Sequence, residues 1–214
     1  MKLYGISGLG ADKRVFQNLT LNCEFIPIDW IDPKEKESLE DYANRLSKKI
    51  DTKEKFGILG VSFGGLIAVE ISKKLNPELT ILISSAETKN ELRRIYRLFG
   101  KTNILKLIPE KLFDPPRFIA NWIFGAKEKN LLKQILDDTD LRFAKWAVNE
   151  LANWKNNTEL SNRILKIAGT KDKLIPPKKN RNQILIEKGE HFMIVDKSVQ
   201  VSQIINKEIK KTNK

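Results

Sequence analysis

Ile58-Leu59-Gly60-Val61-Ser62-Phe63-Gly64-Gly65-Leu66 joins a buried apolar strand, a sharp turn carrying one serine and the start of a helix. Gly60 and Gly64 frame Ser62 at the spacing G-x-S-x-G. A serine on such a turn holds a strained backbone conformation, and glycines two residues to either side let strand and helix pass close together. Its hydroxyl is pushed out above the sheet edge. The N-terminus of the following helix then lies under any developing negative charge, and the backbone N–H of Phe63 points at it. The same pattern also occurs in glycine-rich turns without chemistry, so its meaning depends on what the chain places beside it.

Outward from this turn, short apolar runs alternate with helix-period segments. Residues 3–7 form an apolar run that ends in Ser7-Gly8-Leu9-Gly10, and Val15, Phe16 and Leu19 give the next stretch a helical face. Residues 24–28 read as a second strand, and residues 29–37 as a polar loop broken by Pro33. Ser38 with Asp41 resembles a capping box, followed by Leu39, Tyr42, Ala43, Leu46 and Ile50 at helical spacing. Residues 56–61 deliver Ser62. The next helix is apolar nearly all round at Leu66, Ile67, Val69 and Ile71, so it should be packed on both sides until Asn76-Pro77. Residues 79–83 are the next buried strand. Four short apolar strands separated by helical segments imply an α/β fold whose parallel sheet is covered on both faces.

The rhythm then breaks. Residues 87–157 hold only helix-period segments, punctuated by Pro109, Pro115, Pro116 and Gly125 and rich in aromatic residues such as Tyr96, Phe118, Trp122 and Trp146. They read as a helical insertion in a core made of residues 1–86 and 158–214. Most of its aromatics would form its own core, and those facing the sheet would line an apolar pocket beneath a lid. Residues 164–168 resume the strand pattern before Gly169-Thr170-Lys171-Asp172, and residues 183–187 give a last strand before Lys188-Gly189-Glu190-His191-Phe192. Val201, Ile204 and Ile205 mark a closing amphipathic helix, and residues 207–214 read as a fraying tail.

Ser62, Asp172 and His191 thus each follow the C-terminal end of an apolar strand, which in a parallel sheet is the edge where ligands bind. A serine hydroxyl needs a base, and neutral imidazole is well matched near pH 7. A carboxylate on the other ring nitrogen fixes the tautomer and stabilises the imidazolium that forms. His191 is the only histidine in the chain and lies 19 residues after Asp172. Asp172 could instead serve only an Asx turn before Pro176. Asp138, Glu190 and Asp196 are rival acids that do not follow a strand in the right place, and Ser7, Ser84 and Ser85 are rival nucleophiles without the glycine framing. Acyl transfer also needs oxyanion donors, for which the backbone N–H groups of Leu9 and Phe63 are the candidates.

Composition bounds the alternatives. A chain of 214 residues suits one domain, or one domain with an inserted subdomain. One cysteine and one histidine make a Zn site of the usual ligands improbable and an internal disulfide impossible; Cys23 reads as a structural thiol. No run of about 18 apolar residues and no signal-peptide pattern occurs, so a cytoplasmic protein with no membrane span is expected. The formal charge of +12 is uneven: residues 1–86 carry 12 basic and 12 acidic side chains, residues 87–214 carry 27 and 15. The excess would suit an acidic carrier protein, nucleic acid or an anionic substrate, or reflects lysine-rich usage throughout the host. The basic residues are dispersed, with no nucleic-acid motif among them.

The chain resembles small single-domain α/β-hydrolases in three motifs taken in order: Gly60-Val61-Ser62-Phe63-Gly64-Gly65, Gly169-Thr170-Lys171-Asp172 and Gly189-Glu190-His191-Phe192. The resemblance covers essentially the whole chain. It implies Ser62 as nucleophile, His191 as general base and then acid, Asp172 as the orienting acid, and no cofactor. It departs from the family where Ser7-Gly8 stands in place of a common His-Gly, which alters how that loop is anchored. The first strand matches the family's third, so a sheet of about six mostly parallel strands is expected, without the usual N-terminal hairpin. The activity implied is hydrolysis of a carboxylic ester or thioester. Arg93, Arg94 and Arg97 on the insertion are candidates to meet an acidic acyl carrier. Lyases that use the serine–histidine pair as a base, and non-catalytic ligand-binding members, are the alternatives.

Overall fold

The computed structural model describes residues 1–102, 104–178 and 182–212. Six parallel strands, β1 (Lys2–Ile6), β2 (Glu24–Ile28), β3 (Phe56–Val61), β4 (Leu79–Ile83), β5 (Ile164–Gly169) and β6 (Ile184–Ile186), form one sheet in the order β2-β1-β3-β4-β5-β6. The central strand β3 is buried throughout, as its unbroken apolar run requires. Pro27 costs the ladder little because β2 is an edge strand.

Helices cover both faces. On one lie α1 (Leu39–Leu46) and α2 (Phe63–Leu75), which bury Tyr42, Leu46, Leu66 and Ile67 against Tyr4, Ile6 and Ile58 of the sheet. The other carries α8 (Met193–Asp196) and α9 (Ser198–Thr212), whose Val195, Val201 and Ile205 meet Leu3, Leu59 and Ile81. Ser38 caps α1, accepting from Asp41 N–H at 3.1 Å. Its hydroxyl donates to the Asp41 carboxylate at 2.7 Å, so the return arm of a capping box, from side chain to the cap's own N–H, is replaced by a side-chain pair. At the other end of α2, Asn76 takes the left-handed conformation that closes many helices.

Two segments differ from their sequence patterns. The expected helix around Val15 is only a 3-10 turn, Lys13–Phe16. It starts at Asp12, which accepts from Arg14 N–H, and ends at Phe16; beyond it Thr20 N–H donates to Ser202 Oγ at 3.0 Å. The expected fraying tail is helical as far as Thr212, because Ile209 continues the buried stripe of Val201 and Ile205 by one more turn. Residues 213–214 lie outside the described residues.

Between β4 and β5 run α3 (Arg94–Thr102), α4 (Ile104–Leu107), a 3-10 turn (Glu110–Phe113), α5 (Arg117–Phe124), α6 (Lys129–Asp137) and α7 (Leu141–Asn153). The aromatics of this stretch do not form a core of their own. Phe143 and Trp146 of α7 stack into Trp30, Tyr42 and Phe63, with the Tyr42 and Trp146 rings 4.5 Å apart and the Trp30 and Phe143 rings 5.0 Å apart. Leu132 and Ile135 of α6 join the apolar cluster on the opposite face. Trp146 Nε1 also donates to Glu37 O at 2.9 Å, and Leu39 N–H donates to Glu150. A residue such as Phe143 is therefore core for the sheet and the insertion together, a distinction that helical periodicity cannot express.

Candidate active site

Ser62 sits between β3 and α2 with φ 52° and ψ −122°, a conformation rare for a residue with a side chain. Such a backbone costs about 1–3 kcal/mol and persists only where its surroundings hold it. Here Ser62 N–H donates to Ile83 O at 2.9 Å, while Ser62 O accepts from Gly65 N–H at 2.9 Å and Ser85 Oγ at 2.7 Å. The glycines make room for this turn. A Cβ on Gly60 would lie 2.5 Å from Gly64 O and Gly65 Cα, and one on Gly64 would run into the carbonyls of Ile6 and Ser7. Gly64→Ala is therefore expected to force β1 and α2 apart, at about 1–3 kcal/mol. A thermal melt should show the loss as about 2–4 °C per kcal/mol at this chain length.

The three strand-end residues meet. Ser62 Oγ lies 2.8 Å from His191 Nε2, and His191 Nδ1 lies 2.9 and 3.0 Å from the two oxygens of Asp172. His191 and Asp172 are buried and Ser62 is half-buried. The geometry fits one tautomer, in which Nδ1–H donates to the carboxylate and Nε2 accepts from the serine hydroxyl. Asp172 Oδ1 also accepts from Leu174 N–H and Ile175 N–H, each at 2.9 Å. It thus makes the turn contacts and faces the imidazole at once. The rival acids are occupied elsewhere: Asp138 pairs with Arg14, Glu190 with Lys173, and Asp196 accepts from Lys127 and Glu128 N–H ahead of α6. Of the rival serines, Ser7 donates to Ala11 O, Ser85 to Ser62 O, and Ser84 is wholly buried.

Phe63 opens α2, so its N–H is among the first-turn amides without a carbonyl partner inside the helix. Leu9 lies in the loop after β1, and Gly8 brings that loop against the serine, since a Cβ there would be 3.4 Å from Ser62 Cβ. The loop's anchors were not evident in the sequence. Ala11 O accepts from both Ser7 Oγ and Trp30 Nε1 at 2.8 Å, and Gly10 O accepts from Thr139 Oγ1 at 2.9 Å. Ser7 and Trp30 together therefore fasten the loop.

The insertion touches both late loops. Tyr96 of α3 donates to Leu174 O at 3.0 Å, and burial raises its phenol above the usual value, keeping it a donor. Lys173 Nζ donates to Trp122 O at 2.8 Å and stands 5.2 Å from the centre of that indole, while Phe192 N–H donates to Phe124 O at 3.0 Å. Between insertion and sheet lies a cavity of about 290 Å³ that opens on Ser62 and His191. Leu9 and Phe63 line its polar end, and the remainder is apolar, with Phe99, Ile123, Leu136 and Leu151 among its walls. Among the described residues no group of three acidic, histidine or cysteine side chains could hold a metal ion.

No protein-family model matches the chain, and no protein of curated function matches it. Solved structures do. A thermophilic esterase is similar at TM-score 0.76 and 20% identity, over 98% of this chain and 90% of that one. MenH from S. aureus is similar at TM-score 0.74 and 18% identity over 100% and 95%, and ClbQ from the colibactin NRPS/PKS pathway at TM-score 0.67 and 15% identity over 99% and 98%. The chain has the α/β-hydrolase fold, with a six-stranded, all-parallel sheet.

Proposed function

We propose that this protein is a serine hydrolase that cleaves a carboxylic ester or thioester with a small apolar acyl group. What supports this reading is the hydrogen-bonded run from Ser62 Oγ through His191 to Asp172 at the end of an apolar cavity. Ser62 Oγ attacks the carbonyl carbon as His191 Nε2 takes its proton. The carbonyl oxygen gains charge and receives the N–H groups of Leu9 and Phe63. His191 then gives the proton to the departing alcohol or thiol, leaving an acyl group on Ser62. Water, deprotonated by His191, attacks that acyl carbon and releases the acid. Asp172 keeps Nδ1 protonated throughout and stabilises the imidazolium.

Residues 87–157 serve as the lid over a core made of 1–86 and 158–214, and its apolar underside receives the acyl chain. Cys23 is half-buried, and burial raises its thiol, in keeping with a structural role. For an acidic acyl carrier, Arg93 and Arg94 are exposed, whereas Arg97 is half-buried and donates to Asn90.

A fluorophosphonate probe is expected to label Ser62, located by peptide mass spectrometry, in a preparation that turns over p-nitrophenyl esters. Labelling without turnover of any ester or thioester would favour a reaction in which Ser62 and His191 act only as a base. No labelling of the folded protein would refute the nucleophile. Chain length supplies a second test. A buried methylene is worth about 0.8 kcal/mol, or roughly fourfold in kcat/KM. Activity on a series of short acyl esters should therefore climb with each carbon that the cavity walls cover and then level off.

A further inference from the structure

We propose that the outward side of α3, α4 and α5 docks on an anionic lipid surface. Among the described residues, eight of the eleven strongly exposed large apolar side chains fall between Ile95 and Trp122. Leu107 is 83% exposed, Phe118 74% and Trp122 67%. Singly, such residues are ordinary, whereas contiguous apolar surface marks an interaction site; here eight share one helical stretch of the chain. All three helices border the cavity over Ser62, through Tyr96 and Phe99, Leu105, and Ile123 and Phe124. Phe99 both lines that cavity and is 46% exposed, so the apolar interior reaches solvent on this side.

Charge selects the occupant. Residues 93–122 hold seven basic and two acidic side chains, a net of +5, and Arg93, Arg94, Lys106 and Lys111 are exposed. A second copy of the chain would bring two such faces into repulsion. An acidic carrier protein would answer the charge, but the protruding Leu98, Leu107, Leu112, Phe118 and Trp122 are spread over several short helical segments and would need a matching apolar groove. The boundary between headgroups and acyl chains accepts leucine and aromatic side chains at differing depths while anionic headgroups meet the lysines and arginines. No helix among the described residues is long and apolar enough to cross a membrane, so the contact is peripheral.

The test uses the full chain and vesicles of phosphatidylglycerol with phosphatidylcholine, against phosphatidylcholine alone. Co-sedimentation should favour the anionic vesicles by about tenfold or more, since each cation near such a surface contributes roughly fivefold, and should weaken as salt rises. Of the four tryptophans only Trp122 is exposed, so a blue shift of emission on vesicles, lost in Trp122→Phe, would place it at the contact. Leu107→Ser with Leu112→Ser, neither of which lines the cavity, should weaken vesicle binding about tenfold or more with the thermal melt unchanged. Absence of binding to anionic vesicles, or binding that this double variant leaves intact, overturns the proposal. So does association with an acidic acyl carrier, or with a second copy, in a protein that ignores vesicles. Binding is read without turnover, so its failure would leave the hydrolase reading standing.

Discussion

Ser62→Ala and His191→Ala are each expected to lower kcat for a short ester by about 10⁵- to 10⁶-fold, with the double variant hardly worse than either alone. Their atoms act as a unit: the hydroxyl 2.8 Å from Nε2 is a poor nucleophile without the base, and the base has no proton to take without the hydroxyl. What remains in every variant comes from the oxyanion donors and the cavity. Asp172→Asn should cost about 10⁴-fold, because an amide facing Nδ1 favours the tautomer with its proton on Nε2, where it cannot accept from serine. Steady-state rates on a p-nitrophenyl ester, with enzyme concentration taken from protein absorbance and fluorophosphonate used only to exclude parent enzyme in the variants, separate these outcomes. Asp172→Asn within about threefold of the parent would reject Asp172 as the orienting acid. Glu190 and Asp196 would not then be ready substitutes, since one holds Lys173 and the other the backbone ahead of α6.

The strand ends were legible because burial on both faces leaves long apolar runs, so β3 and β4 have the bounds their sequences predict, and polar residues just beyond such runs stand out. Ser62, Asp172 and His191 are all of this kind. Their supports are not. Ser85 reads as a competing nucleophile, yet its hydroxyl holds the carbonyl of Ser62; Trp30 reads as part of a polar loop, yet its indole fastens the loop after β1. Both act through a single long-range hydrogen bond, which leaves no periodic trace. The aromatics of the insertion were visible as apolar, but helical spacing says which side of a helix is buried and not against what. Phe143 and Trp146 face the core's own aromatics, whereas Phe118 and Trp122 face outward.

Lys166→Met is expected to destabilise the protein by about 3–5 kcal/mol, a large part of the 5–15 kcal/mol typical of a domain. Lys166 lies in the middle of β5, in a run otherwise apolar, and is almost fully buried. Its ammonium is 3.2 Å from Glu87 and 2.7 Å from Glu91, both buried on the segment that leaves β4. The Glu87 carboxylate also accepts from Leu160 N–H at 2.8 Å, and the Glu87 backbone carbonyl accepts from the Asn156 side-chain amide at 2.8 Å, so the two ends of the insertion close on this residue. Removing the cation leaves two carboxylates close together out of water, whereas neutralising all three groups does not. The triple variant Glu87→Gln, Lys166→Met, Glu91→Gln should therefore recover most of the loss, since the amide oxygen introduced at position 87 can still accept from Leu160. Urea denaturation should read the single variant as a lowered midpoint with the slope unchanged, and a melt as a fall of about 6–20 °C. A cost below about 1 kcal/mol would place the pair among surface-like ion pairs and remove it as the fastening of the insertion. If it is that fastening, its loss should also free Tyr96 from Leu174 O, and ester turnover in Lys166→Met should fail on warming before the sheet unfolds.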